Sequence, residues 1–211
     1  MVNANFEYKI PEWRHKPARI HNPDLEQVQR ELYAAILKYS GKTEEELPPI
    51  YVILDINFIF SECPTVHSIL KEMNIDHLAT HIFFTCLNLQ EPDQVIHVDT
   101  IKDIRYCAIL SMPVLNCENS YTGFYDAPIL NHKLMPENYR LCPAARAAVP
   151  VDASKAVEID RSDTMTISWI NTEVPHRGVR LDKTRTRIMA SFRFEPSILE
   201  ELATGRLFHE P

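Results

Sequence analysis

Only four glycines occur in this 211-residue chain, against 15 prolines. That balance argues against flexible linkers and for stiff, specified connections. Cysteines are few and odd in number: Cys63, Cys86, Cys107, Cys117 and Cys142, with no Cys-x-x-Cys pair. No disulfide framework is implied, and small buried thiols in a reducing compartment are the expectation. No stretch is long enough to span a bilayer, and Met1–Glu7 has neither a basic start nor an apolar run. The expectation is therefore a cytoplasmic protein without a membrane partner. Positive charge is in deficit, with a formal net charge of -7, which argues against general attraction to nucleic acid or anionic lipid. What remains is ordinary: 45% hydrophobic and 24% charged residues, in a chain long enough to bury a core as one domain spanning 1–211.

Residues 1–22 are polar, carry Pro11 and Pro17, and read as irregular. Asn22 then suits an N-cap and Pro23 the first helical position, with Asp24 and Glu26 in the first turn. Leu25, Val28, Leu32, Ile36 and Leu37 fall on one face of that helix, and Gly41 lies just past its end. A second helix is expected from Pro64, carrying Val66, Ile69, Leu70 and Met73. Strand-like runs cover 51–60, 81–89, 94–99, 104–115, 120–125, 155–160, 164–171, 174–180 and 185–194. Many short strands with few helices between them imply a mainly β sandwich, jelly roll or barrel with flanking helices. Its core falls at about 80–194, with helical support at about 22–79. The pattern lapses between Asp126 and Asp152, where Pro128, Pro136, Pro143 and Pro150 fall. Such an insert is either a lid over a site or a passive surface excursion. Ser197-x-x-Glu200 resembles a capping box opening a short final helix.

Three residues carry the chemistry. In Val95-Ile96-His97-Val98-Asp99-Thr100, His97 and Asp99 are two apart and share one face of a strand. His176, in Val174-Pro175-His176, lies 79 residues beyond His97. Two imidazoles and one carboxylate can occupy one face of an iron(II) ion and leave positions open. A His-x-Asp triplet alone is weak, because polar residues at strand ends are common. The run Arg185–Phe194 adds a second signal: Ile188, Ala190, Phe192 and Phe194 form an apolar face, and Arg185, Arg187, Met189, Ser191 and Arg193 form the other. An inward arginine needs an anionic partner, and guanidinium matches carboxylate in a bidentate fork. Ser191 could add a hydroxyl to that partner.

On these residues the chain resembles the iron(II)- and 2-oxoglutarate-dependent oxygenases. Their pattern of His-x-Asp, a distant His and a following Arg reads here as His97-Val98-Asp99, His176, and Arg187 or Arg185. Arg187 and Arg185 follow His176 by eleven and nine residues, and Arg187-x-x-x-Ser191 favours the former. The strand Trp169–His176 and the apolar strand Tyr106–Leu115 add local likeness, so that the resemblance spans about residues 80–194. Prolyl- and aspartyl-hydroxylating branches look nearest. The resemblance implies a double-stranded β-helix (a jelly roll), with iron(II) held by His97, Asp99 and His176. It implies 2-oxoglutarate as cosubstrate, its far carboxylate gripped by Arg187, and dioxygen spent on hydroxylating an unidentified substrate. Tyr106, Asn116, Asn119 and Tyr121 are further candidates for holding the cosubstrate.

Other readings stand beside this one. A non-catalytic jelly-roll binding or structural module would leave the His and Asp side chains as polar edge groups. A cupin-like metal enzyme would need no cosubstrate arginine. His77-Leu78-Ala79-Thr80-His81 has zinc-binding spacing on a helix, yet Leu78 stands where a metalloprotease needs Glu, and the segment runs into a strand. Arg177, Arg180, Lys183, Arg185 and Arg187 could form a phosphate patch or a solvated turn. Trp13-Arg14-His15-Lys16 likewise reads as a partner surface or a solvated segment.

Overall fold

Alternation of side chains along Arg187–Phe194 sets up two layers. The computed structural model describes residues 12–48, 50–88, 94–99, 108–129 and 148–209. Among these, the strands are β1 (His15–Pro17), β2 (Ile50–Asp55), β3 (Ala79–Leu87), β4 (His97–Asp99), β5 (Ala108–Leu115) and β6 (Ser120–Asp126). They continue as β7 (Ala148–Pro150), β8 (Val157–Asp163), β9 (Ser168–Asn171), β10 (His176–Arg180) and β11 (Arg187–Phe194). The helices are α1 (Leu25–Ser40), α2 (Ile56–Glu62), α3 (Pro64–Glu72) and α4 (Ile198–Ala203).

Two antiparallel sheets form, in the orders β1-β9-β5-β11-β3-β2 and β7-β4-β10-β6-β8. From β3 to β6 the chain steps from the larger sheet to the smaller and back with each strand, and from β8 to β11 it repeats the stepping in the opposite order. These eight strands make a double-stranded β-helix, the jelly roll expected from the sequence.

Ile188, Ala190, Phe192 and Phe194 face away from the smaller sheet and pack with Val28, Leu32, Ala35 and Ile36 of α1. Burying each large apolar side chain there contributes about 1.5–3 kcal/mol. Trp169 of β9 is fully buried in the same core, and its Nε1 donates to the Leu207 carbonyl. Glu31 is the buried charge on α1; it accepts from Thr65 N, Thr65 Oγ1 and Gln27 Nε2, and so supplies partners for the start of α3. Cys63, Cys86 and Cys117 are buried thiols. No helix among the described residues is long and apolar enough to cross a membrane.

Several local expectations need correction. The run 51–60 splits into β2 and α2 because the Asp55 carboxylate accepts from Asn57 N and starts a helix. The cap of α1 is Asp24, which accepts from Gln27 N; Asn22 instead sits at φ 44 in the preceding turn. Residues before 22 are not all irregular, since β1 pairs with β9 through His15, Lys16 and Pro17. That pairing places Arg14 and His15 beside Asp160 of β8, at 3.7 and 3.6 Å, rather than on a free segment. Ser197 makes no side-chain capping bond to α4. His77 lies in a 3₁₀ turn and His81 in β3, so they do not share a helix. Most of the 126–152 insert, residues 130–147, lies outside the described residues, though its flanks are joined by an Ile129–Val151 bridge.

Candidate metal centre

Between the sheets the lining is polar, unlike the helix-covered side. Ordinary sandwiches fill this layer with apolar side chains. Here a small apolar group of Ile109, Phe124 and Ile170 gives way to buried His97, Asp99, His176, Arg187, Ser191 and Arg193.

β10 brings the distant histidine into place. Its residue His176 pairs directly with His97 of β4, and the ring centroids are 4.7 Å apart. Asp99 lies two residues along β4 on the same face. One donor atom from each of His97, Asp99 and His176 lies within 4.8 Å of the others, and all three residues are buried. The Nδ1 atoms of His97 and His176 sit 2.7 and 2.8 Å from the carbonyls of Val95 and Val174. A carbonyl only accepts, so each Nδ1 carries the proton, and in the neutral ring Nε2 is left as a lone pair. His97 Nε2 lies 3.3 Å from Asp99 Oδ1. Both atoms are possible metal donors, and a cation shared between them would satisfy the pair.

Asp99 is held from its other side. Arg193 Nη2 donates to Asp99 Oδ2 at 2.6 Å, leaving Oδ1 toward the histidines. Burial alone would raise the Asp99 carboxyl, but the Arg193 guanidinium and then the two imidazoles outweigh it and hold the acid far below the usual carboxylate range. Burial pushes His176 down to about 4, and neighbouring His97 adds to that shift while Asp99 opposes it. His176 is thus neutral at ordinary pH, as a metal ligand must be.

Arg187 opens β11 and is buried between the sheets. Its Nε donates to Ser120 Oγ of β6 at 3.0 Å; among the described residues its terminal nitrogens have no hydrogen-bond partner, and no carboxylate faces it. Burial lowers its pKa, which marks the strain of an uncompensated charge. Arg185 lies outside the strand, exposed and paired with Glu118 at 3.1 Å. Ser191 shares the inward face of β11 with Arg187, but the hydroxyl bonded to Arg187 is Ser120. Asn116 stands at φ 50 in the β5–β6 turn and donates to the Thr186 carbonyl, anchoring the start of β11 rather than facing the histidines. Tyr121 points to the outer side of the small sheet, where it bonds Glu158. Asn119 lies in the same turn as Asn116, where its carbonyl accepts from Leu181 N. Tyr106 lies outside the described residues.

Two contributors were not singled out from sequence. Arg193 follows Arg187 by six residues on the same face, so parity alone placed a second guanidinium near a buried carboxylate. Arg180 is buried and donates to the carbonyls of Leu87, Asn88 and Arg185, which ties the end of β3 to the turn before β11. The basic run at 177–187 is thus not one patch: Arg180 and Arg187 are interior, and Arg185 is not.

No known protein-family profile matches the chain, and no curated protein sequence does. Among solved structures it is similar to the non-heme alpha ketoglutarate dependent carbocyclase SnoK from nogalamycin biosynthesis, at 8% identity, with 93% of this chain and 88% of that chain covered and a TM-score of 0.46. It is also similar to AviO1 from Streptomyces viridochromogenes Tue57, at 11% identity, with 87% and 92% covered and a TM-score of 0.43. Likeness at this level carries no argument about chemistry, which rests on the buried donors and the guanidinium between the sheets.

Proposed function

We propose that this chain is a non-haem iron(II)- and 2-oxoglutarate-dependent oxygenase that hydroxylates an amino acid or a protein side chain. The observation that carries the reading is the pairing of a buried His97, Asp99 and His176 donor set with a buried Arg187 that faces no carboxylate among the described residues. The donor set suits iron(II), because two imidazole nitrogens and one carboxylate oxygen leave other positions open. Bound there with its keto acid, the metal supplies oxidative chemistry: 2-oxoglutarate, dioxygen and a C–H bond become succinate, carbon dioxide and C–OH.

The chain's own groups perform the rest. Val95 and Val174 carbonyls fix the histidine tautomers, and Arg193 holds Asp99 so that one oxygen faces the ion. Gly178 lies two residues beyond His176 on β10, about 7 Å along the strand, and the Arg187 guanidinium lies against it. That separation suits a diacid with one end at the metal and the other at Arg187. The sheets on either side exclude water, which strengthens the guanidinium–carboxylate attraction. A cupin-like enzyme would have no use for that guanidinium.

The test is titration of the iron(II)-loaded chain with 2-oxoglutarate in the calorimeter without oxygen, followed by succinate detection once oxygen is admitted. The expected result is binding by the natural chain, loss of metal in His176→Ala, and retained metal with strongly weakened, still measurable keto-acid binding in Arg187→Ala. A loaded natural chain that does not bind 2-oxoglutarate overturns the reading.

A further inference from the structure

With so few glycines, each one invites a reason. Gly41 and Gly205 have φ values of 64 and 78, so their backbone demands them. Gly178 has no such excuse. It lies in the middle of β10 in ordinary strand conformation, where glycine weakens a strand by giving up side-chain packing and adding chain entropy to the unfolded state. Its reason must therefore be the space that a side chain would fill.

That space is taken by the Arg187 guanidinium. A Cβ at position 178 would lie 2.6 Å from Arg187 Nη1, 3.4 Å from its Cζ and 3.2 Å from Gln94 Oε1. The first distance is far inside van der Waals contact. The same residue's N–H donates to Gln94 Oε1 at 2.7 Å, so Gln94 is fixed beside the guanidinium. Ser120 holds Nε from β6, the neighbouring strand. The guanidinium thus rests against bare backbone, on the same face of β10 as His176.

We infer that Gly178 is a positioning residue: its missing side chain sets the seat of the Arg187 guanidinium and thereby the fit of the ligand's far carboxylate. The inference rests on the reading of Arg187 as the partner of 2-oxoglutarate. An added methyl would not wreck the fold, because the group it strikes is the end of a long side chain. It would instead move Nη1 and pull Nε from Ser120. A bidentate carboxylate contact tolerates little of such movement.

Gly178→Ala, Arg187→Ala and the double variant are each loaded with iron(II) without oxygen and titrated with 2-oxoglutarate, with the metal affinity and thermal midpoint of each recorded. Gly178→Ala is expected to keep metal affinity and to weaken keto-acid binding by about tenfold or more, as loss of a charged hydrogen bond does. In the Arg187→Ala background the same methyl is expected to add nothing, because there is no guanidinium left to displace. Unchanged keto-acid affinity in Gly178→Ala overturns the inference, and so do effects that add in the double variant. Failure of the natural chain to bind 2-oxoglutarate overturns the parent reading first and takes this one with it. If Gly178→Ala does not fold, Gly178→Ala with Arg187→Lys gives the answer. Lysine lacks the colliding nitrogen, so restored folding supports the steric coupling and persistent misfolding overturns it.

Discussion

The two faces of β11 are both buried and chemically opposite. Ile188, Ala190, Phe192 and Phe194 meet helix-borne aliphatics, whereas Arg187, Met189, Ser191 and Arg193 meet the smaller sheet. On the first face every contact lowers the free energy of folding. On the second, two guanidiniums have left water; one has recovered a carboxylate in Asp99 and the other, among the described residues, a serine hydroxyl. Stability explains the first face, and the second is explained by what it is built to hold. Position within one eight-residue strand separates the two purposes, one residue at a time.

Substitutions on each face can break this contrast. The largest effect is expected from Phe192→Ala, which should cost about 3–5 kcal/mol in urea denaturation through the cavity it leaves. Arg187→Met should leave stability level or improved, because a buried charge that faces no carboxylate among the described residues is replaced by a side chain of similar length. Ser120 keeps its bonds to Cys117 O and Thr164 after that change. Equal destabilisation by both substitutions would erase the distinction.

Asp99→Ala breaks the buried ion pair with Arg193 and should cost about 3–5 kcal/mol even without metal. Asp99→Leu combined with Arg193→Met should recover most of that loss while metal binding stays absent. Denaturation curves of both variants, read beside metal titrations, separate the structural from the ligating use of this carboxylate.

Acid gives a third, smaller effect. His176 is depressed to about 4 in the folded chain, below the ordinary histidine value of 6.5. The unfolded chain therefore takes up the proton first. The stability contributed by the neutral ring is complete above pH 6.5 and is lost as pH falls through 4, by roughly 3 kcal/mol in all. Metal-free protein followed by denaturation between those pH values should show the slope, and His176→Phe should flatten it. The smallest effect is expected at Ser120→Ala, which leaves the metal in place and weakens 2-oxoglutarate by about 1 kcal/mol in calorimetry, since Arg187 loses only its guide.

Much of the site was legible because strands state their faces in alternate residues. His97 and Asp99, and then Arg187 against Arg193, follow from parity alone. Parity cannot separate Arg185 from Arg187; what separates them is where β11 begins, just past Thr186, whose carbonyl accepts from Asn116 in a turn distant in sequence. The three-residue β1 offered no pattern, because its pairing with β9 is wholly non-local. Tyr51–Phe60 misled for another reason: a continuous apolar run fits strand and helix equally, and the choice fell to one capping carboxylate, Asp55. Ser120 and Gly178 were silent because their significance lies in what reaches them from the opposite sheet.

The register of β4 against β10 has a thermodynamic corollary. His97 and His176 are nearest neighbours across that ladder, yet they stand 79 positions apart in the chain. An ion gripped by both acts as a cross-link that closes a long loop, so its affinity includes the entropy of that closure. Chelation should therefore loosen the smaller sheet ahead of the larger, whose hydrophobic layer against the helices needs no ion.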